Sequence, residues 1–251
     1  MMKVVLAAKH ITKRFGDAEV LHGIDLTVHS GEFVAIMGRS GSGKSTLLYN
    51  ISGMDQPTSG EVLLDGTDIA SLNDEKMSEV RLHRIGFVFQ QSYLLKNLSI
   101  RDNILLPGLK AKNLSRDEVV QRADEIMQRL DIAHIAAHDI KNVSGGQLQR
   151  ASIARALINS PAVLIGDEPT GALNSSATKE VMDIFNSINE DGTTIVIVTH
   201  DAKVAARAQR VIYIKDGSIH DELVLGKIKS KDGDIGEREA RLASWLHEHG
   251  F

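Results

Sequence analysis

The sequence contains no cysteine among its 251 residues. Disulfides, thiol nucleophiles and thiolate zinc sites are therefore excluded. Aromatic residues make up only 4% of the chain, which disfavours a stacking surface for single-stranded nucleic acid. The net charge is −4 at pH 7, so no overall positive field attracts nucleic acid or anionic lipid. We therefore expect no nucleic-acid partner.

Long apolar runs are also missing. No run approaches the roughly 18 residues of a membrane-spanning helix, and the five apolar residues at positions 4–8 are too few for the core of a signal peptide. We interpret that run as an edge strand of a soluble protein, which would act at a membrane only through a partner. Apolar residues still account for 42% of the chain, enough for the core of an α/β domain.

Strand-like and helix-like segments divide the chain into three stretches. Alternating or continuous apolar runs indicate strands at 3–29, 32–38, 60–69, 85–90, 162–168, 193–200 and 210–219. Between about 92 and 158 the signals are helical, with a capping box at Ser115 and Glu118. Strands that alternate with helices predict a mainly parallel sheet covered on both faces. We therefore predict an α/β fold with an antiparallel N-terminal β part and an inserted α-helical subdomain.

A glycine-rich loop, GRSGSGKST, runs from Gly38 to Thr46. It fits the phosphate-loop pattern G-x-x-x-x-G-K-[ST], follows a buried strand and opens a helix. Glycines let backbone N–H groups wrap phosphates, and the helix start adds free N–H groups and a positive dipole end. Lys44 can reach the β- and γ-phosphates, and Ser45 can ligate Mg²⁺. The sequence therefore predicts an ATP-type site.

A second chemical motif, VLIGDEP, begins at Val163. Its apolar strand ends in Asp167, and an acid at such a strand end can hold Mg²⁺ directly or through water. Glu168 follows and could orient and polarise an attacking water. An acidic pair after a strand is also common at an ordinary helix start, but the phosphate loop in the same chain favours metal binding and catalysis.

The phosphate loop, NVSGGQLQR, GDEPTGALN and IVTHD occur in the order and spacing of ABC-type ATPase subunits, which the chain resembles over roughly residues 3–222. The resemblance implies one ABC ATPase domain over 1–225, with a P-loop NTPase core at 1–91 and 159–225. The helical insertion would then span about 92–158. Residues 226–251 would form a short C-terminal tail.

The resemblance also assigns roles to single residues. Glu168 resembles the catalytic carboxylate of the family, and His200 resembles the switch histidine. Gln90 resembles the glutamine that touches Mg²⁺. Ser45 and Asp167 would be the other two ligands of that metal. Ser144 begins the signature sequence, and Phe15 occupies the position of an aromatic that packs on adenine. The implied nucleotide contacts are Phe15, Gly38, Arg39, Ser40, Gly41, Ser42, Gly43, Lys44, Ser45, Thr46, Gln90, Ser144, Gly145, Gly146, Gln147, Asp167 and His200.

Two positions depart from the family pattern. Val143 stands where the signature normally has leucine, and we expect it to pack rather than touch nucleotide. Asn174 stands where the loop after Glu168 usually ends in aspartate. Asparagine keeps the size and hydrogen-bonding capacity of aspartate but loses its charge. Since this loop crosses the dimer interface in the family, the departure leaves the coupling of two sites open.

The signature presents a second anion-binding feature. Ser144 and Gln147 fit a capping box, and the two glycines between them leave the backbone open to a phosphate. The chain has one phosphate-loop lysine, Lys44, and so one complete anchor. The resemblance implies that this helix start meets the γ-phosphate of ATP on another subunit, so that two chains enclose two ATP molecules head to tail.

Three kinds of function fit such a site: a transporter ATPase, a soluble ABC ATPase of translation or DNA repair, and a regulatory nucleotide-binding module. The soluble class usually has two cassettes or long insertions, and the presence of Glu168 and His200 disfavours the regulatory module. Segments 53–62 and 84–109 resemble the lipoprotein-releasing, macrolide-exporting and antimicrobial-peptide-resistance group. We therefore expect a Mg-ATP hydrolase of an export-type transporter, held at the cytoplasmic face of the membrane. The alternative is the ATPase of an importer. We expect the chain to contact a separate permease near residues 86–105.

Overall fold

Strands and helices alternate along the computed structural model, which describes residues 3–228 and 234–250. The strands are β1 Val4–Phe15, β2 Ala18–His29, β3 Phe33–Met37, β4 Ser59–Leu64, β5 Thr67–Asp68, β6 Ile85–Phe89, β7 Val163–Asp167, β8 Thr194–Val198, β9 Arg210–Lys215 and β10 Ser218–Val224. The α-helices are α1 Lys44–Ile51, α2 Asp74–Arg84, α3 Ile100–Ala111, α4 Arg116–Arg129, α5 Gly145–Leu157, α6 Ser175–Glu190, α7 Ala202–Ala205 and α8 Ile235–Glu248.

The larger sheet has six strands in the order β10-β9-β3-β8-β7-β6. Neighbours from β9 to β6 run parallel, and β10 pairs antiparallel with β9. Along β3, Phe33, Ala35 and Met37 face one apolar cluster, whereas Val34 and Ile36 face the other. Successive side chains of a strand point to opposite faces, so this buried sheet separates two cores. The predicted α/β fold is confirmed.

The smaller sheet is antiparallel, with strand order β2-β1-β4-β5. The expectation that the N-terminal run forms an edge strand is wrong, because β1 pairs with both β2 and β4. Val5, Leu6, Ala7 and Ala8 are all buried. Four consecutive buried residues indicate a strand covered on both faces, where an exposed face would require alternating polar residues.

Helices dominate the stretch from Ile100 to Leu157, as the sequence predicts. The capping box at Ser115 and Glu118 is formed at the start of α4. The sequence reasoning missed α2, although Asn73 caps it and the helix carries acidic residues in its first turn and basic residues in its last. Met77 is its one buried residue, so α2 lacks the apolar stripe that reveals an amphipathic helix.

The C-terminal segment returns to the core. Leu242, Trp245 and Leu246 of α8 are buried in the cluster that also holds Phe33 and Phe185. Residues 229–233 and 251 of the predicted tail lie outside the described residues. Over the described ranges, no helix combines the length and the apolar character needed to cross a membrane.

Candidate active site

The phosphate loop joins the buried end of β3 to the start of α1. Gly41 and Gly43 have φ angles of +80° and +98°, in the left-handed region that favours glycine. A Cβ on Gly38 would lie 2.3 Å from the Ile214 carbonyl oxygen and 2.5 Å from Ser42 Oγ. Backbone conformation and close packing therefore both explain the glycines that the sequence pattern picked out.

The polar groups of this loop fit a polyphosphate. Lys44 Nζ donates to the Arg39 carbonyl oxygen at 2.9 Å, and burial lowers the pKa of Lys44 while Glu168 and Asp167 oppose the shift. Ser42 Oγ is buried without a hydrogen-bond partner among the described residues. The first N–H groups of α1 also have no acceptor within the helix. The Lys44 ammonium, the unpartnered Ser42 hydroxyl and the first N–H groups of α1 thus lie in one loop, where phosphate oxygens could accept hydrogen bonds from them.

Hard oxygen donors meet beside the loop. Ser45 Oγ donates to Asp167 Oδ1 at 3.1 Å, because α1 begins next to the carboxyl end of β7. Side-chain hydroxyl and carboxylate oxygens suit Mg²⁺, so Ser45 and Asp167 fit the metal that the sequence predicts.

Tyr49 is a residue of this cluster that the sequence reasoning missed. Its phenol donates to Asp167 Oδ2 at 2.6 Å. This hydrogen bond, with burial, raises the pKa of Tyr49 to about 12, so the phenol keeps its proton at neutral pH. Residues four apart share a helix face, and Tyr49 is four residues beyond Ser45. That spacing was the available sequence signal.

Glu168 and His200 form a direct contact. Glu168 has a φ of +47°, an uncommon conformation for a residue with a Cβ that often marks functional sites. His200 Nδ1 lies 2.8 Å from Glu168 Oε1, and because an ionised carboxylate only accepts, the imidazole is the donor. The side chain of His200 is 70% exposed, against 20% for Glu168. The pair therefore opens to solvent on the histidine side.

Gln90 lies where β6 ends beside β7. Phe89 is the register partner of Asp167, and the Gln90 side chain covers Gly171, where an added Cβ would lie 3.0 Å from Nε2. The buried Gln149 of α5 donates to the Phe89 carbonyl oxygen at 2.9 Å. The strand end before Gln90 is thus tied to the helix that carries the signature.

The signature forms the capping box that its sequence predicts. Ser144 Oγ accepts from the Gln147 N–H at 3.3 Å, and Gln147 Oε1 accepts from the Ser144 N–H at 2.9 Å. The Gln147 amide also lies 3.4 Å from His134 Nε2. Within the described residues, no side-chain hydrogen bond of Ser144 or Gln147 reaches the phosphate loop.

The signature glycines also serve packing within the chain. A Cβ on Gly146 would lie 3.3 Å from the Ala177 Cβ, and one on Gly145 would lie 3.7 Å from Leu173. The start of α5 is therefore close to α6 and the loop before it. Val143 packs against the larger apolar cluster, in agreement with a packing role.

Phe15 lies at the end of β1 and is 53% exposed. Lys13 Nζ lies 4.9 Å from its ring centroid, a cation–π geometry. The same hairpin approaches the phosphate loop, since a Cβ on Gly43 would lie 3.2 Å from the Val20 carbonyl oxygen. An exposed aromatic ring on the hairpin next to the loop fits a base-stacking position.

Comparison with known proteins identifies the class. The family model described as ABC transporter matches residues 21–171, more than half of the sequence, so the chain belongs to the ABC transporter family. It is 43% identical over 222 residues to the lipoprotein-releasing system ATP-binding protein LolD of Aquifex aeolicus, covering 88% of this chain and 99% of LolD. It is 44% identical over 224 residues to the macrolide export ATP-binding/permease protein MacB of Campylobacter jejuni, covering 89% of this chain and 35% of MacB.

Solved structures agree. The dimeric bacterial ABC transporter cassette MJ0796 is 40% identical, with a TM-score of 0.81 over 89% of this chain and 100% of that one. A dimeric post-hydrolysis state of the same cassette, bound to ADP and phosphate, gives 39% identity and a TM-score of 0.80 over the same shares. The predicted P-loop cassette, its ATP binding and its ATPase class are therefore confirmed.

Proposed function

We propose that this cassette closes head to tail with a second copy around two Mg-ATP molecules and drives a separate integral membrane permease. One observation carries the proposal: Lys44, Ser45, Asp167 and Glu168 gather at one site, whereas the side chains of the Ser144 capping box hydrogen-bond to each other's backbone N–H groups and to His134 and to no residue of that site within the described residues. Two copies related head to tail would bring each capping box to the other copy's phosphate loop. A head-to-tail pair then completes two sites that one chain leaves open.

In this proposal the loop residues bind nucleotide. The backbone of Gly38, Arg39, Ser40, Gly41, Ser42, Gly43, Lys44, Ser45 and Thr46 surrounds the phosphates, and the Lys44 ammonium neutralises their charge. Phe15 stacks on the base. Gly145 and Gly146 leave room for the γ-phosphate of ATP bound to the partner. The capping box of Ser144 and Gln147 fixes the start of α5, which would face that phosphate. Association of the two copies becomes favourable when backbone donors from both chains share the bound anion.

Ser45, Asp167 and Gln90 would hold Mg²⁺, which when bound neutralises charge on the phosphate oxygens. Glu168 has acceptor capacity left beside its bond to His200, so it can orient a water and take its proton. The exposed His200 side chain, now bonded to Glu168, would serve as a hydrogen-bond donor to the γ-phosphate. Gln90 lies just before the helical insertion, and its side chain lies against Gly171. A change at the metal site could therefore be transmitted through Gln90 to the insertion and to the loop after Glu168.

The helical insertion, proposed at about 92–158 within one ABC ATPase domain of residues 1–225, carries the permease contact. Tyr93 is 64% exposed and Leu95 is 46% exposed. Arg155 of α5 donates to the carbonyl oxygens of Tyr93 and Ser92 at 2.7 and 2.8 Å, so the signature helix holds this apolar segment in place. An apolar patch tied to the signature suits a surface that transmits motion to a permease.

We place the chain in a system of the lipoprotein, macrolide or antimicrobial-peptide type, held at the cytoplasmic face of the membrane through its permease. The names of LolD and MacB support this grouping. The alternative is the ATPase of an importer. An integral membrane protein that co-purifies with the chain and carries one large extracytoplasmic domain would favour the export or mechanotransmission group.

The central test replaces Glu168 with glutamine. We expect Glu168→Gln to lower Mg-ATP hydrolysis by at least about 100-fold, as for loss of a general base, and to leave ATP binding intact. The trapped ATP should hold two copies together, so light scattering should report a dimer with Mg-ATP and a monomer without it.

The matched control is Glu190→Gln, which removes an exposed carboxylate at the far end of α6 and should hydrolyse ATP like the unmodified chain. Only monomer from Glu168→Gln at saturating ATP would contradict the head-to-tail pair. Unchanged hydrolysis in that variant would contradict the role of Glu168.

A further inference from the structure

Tyr49 and Ser45 hold the two oxygens of one carboxylate. The Tyr49 phenol donates to Asp167 Oδ2 at 2.6 Å, and Ser45 Oγ donates to Oδ1 at 3.1 Å. Both donors stand on the same face of α1, four residues apart. The carboxylate is therefore fixed in rotation about its Cβ–Cγ bond, since each oxygen has its own donor.

The helix that carries the phenol is rigid. Leu47, Leu48 and Ile51 of α1 are fully buried. The Tyr49 carbonyl oxygen accepts from the Met54 N–H at 2.9 Å, the Asp55 N–H at 3.1 Å and Ser52 Oγ at 3.2 Å. A ring with few rotatable bonds on an anchored helix gives its hydroxyl a defined position.

The chemistry of the donor suits a metal site. A phenol is neutral, so it orients the Asp167 carboxylate without cancelling the negative charge that attracts a cation. An ammonium or guanidinium at the same position would repel the metal. Hydrogen bonds from hydroxyls to carboxylates are also short and strong, in agreement with the 2.6 Å separation.

We propose that Tyr49 is a positioning residue for magnesium: it holds Asp167 Oδ2 so that Oδ1 stays directed at Ser45, the residue that would hold the metal together with Asp167. The inference rests on the proposed function of Ser45 and Asp167. Groups that orient metal ligands from behind set metal affinity, and their loss typically weakens it about 10–100-fold. Tyr49 would act through its hydrogen bond to Asp167 rather than as a metal ligand itself.

The test is Tyr49→Phe in the full chain, which keeps the ring and removes the hydroxyl. Mn²⁺ is titrated in the presence of ADP, and free Mn²⁺ is measured by electron paramagnetic resonance. We expect Mn²⁺ binding to weaken about 10–100-fold. The Mg²⁺ concentration for half-maximal ATP hydrolysis should rise by a similar factor, whereas ATP binding in EDTA should not change.

Tyr213→Phe is the matched control, because it removes a buried phenol hydroxyl from β9 and should leave the Mn²⁺ titration unchanged. Equal Mn²⁺ affinity in Tyr49→Phe and the unmodified chain would overturn the inference. Weakened ATP binding in EDTA would also overturn it, since the tyrosine would then support the loop rather than the metal. If the unmodified chain bound no Mn²⁺ with ADP, the proposed metal site would fail instead.

Discussion

At the residue scale, Asn174 shows how one side chain can meet a structural need that the family usually meets with aspartate. Its side chain caps α6 by accepting from the Ala177 N–H at 2.9 Å. Asparagine and aspartate are about equally good caps. Asparagine at this position therefore still caps α6. What it lacks is the negative charge that an aspartate would present to a partner chain.

We expect Asn174→Asp to fold normally and to change the free energy of unfolding by less than about 0.5 kcal/mol, because the two side chains are about equally good caps. Asn174→Ala should lower it by about 0.5–2 kcal/mol through loss of the cap. Urea unfolding of both variants measures these changes. A stability of Asn174→Ala equal to that of the unmodified chain would show that the cap contributes nothing.

At the element scale, α8 packs against the core although the C-terminal segment that contains it is polar in sequence. Arg238, at 4% exposure, donates to the carbonyl oxygens of Ala206, Ala208, Leu225 and Gly226. Burial lowers the pKa of Arg238, with an opposing contribution from Asp234. Beyond this anchor, the apolar face of α8 lies in the same cluster as the central sheet. The helix is thus integrated with the sheet that positions the phosphate loop.

Leu246→Ala tests this integration. Leu246 is 3% exposed, and we expect its truncation to lower the free energy of unfolding by about 2–5 kcal/mol through lost burial and a cavity. Ser244→Ala, at an exposed position of the same helix, should change it by less than about 0.5 kcal/mol. Similar thermal unfolding of the two variants would mean that α8 does not stabilise the domain.

At the scale of the whole molecule, the strand order places two surfaces at opposite edges of the sheet. β6 forms one edge and leads to Tyr93 and Leu95, and β10 forms the other. Phe87 stacks on Phe89, whose ring meets the Tyr93 ring edge-on at 5.4 Å between centroids. An aromatic row thus runs from the strand beside Asp167 to the exposed segment, which suits a link between nucleotide and permease.

Tyr93→Asp and Leu95→Asp should each reduce permease co-purification from detergent-solubilised membranes at least about tenfold, because burying an unpaired charge is unfavourable by more than 1.4 kcal/mol. ATP hydrolysis by the isolated chain should be spared. Val224→Asp, at 62% exposure on the opposite sheet edge, is the matched control and should retain the permease. Retention of the permease by both test variants would place the docking surface elsewhere.

The sequence by itself determined the local chemistry. The strand–loop–helix at Gly38–Thr46, the capping box at Ser144 and the apolar strand before Asp167 follow from short-range rules: glycine tolerance of positive φ, satisfaction of helix-start N–H groups and strand periodicity. Since each rule acts within a few residues, each was readable from the sequence.

Only the tertiary structure decided which distant segments meet. The contacts of Tyr49 with Asp167 and of Gln149 with Phe89 span 118 and 60 residues, and the burial of α8 depends on a core assembled from the whole chain. Whether β1 lies inside or at the edge of its sheet likewise depends on β4. Such pairings are set by packing and sheet order, which are global properties of the fold, and a pattern local to the sequence does not encode them.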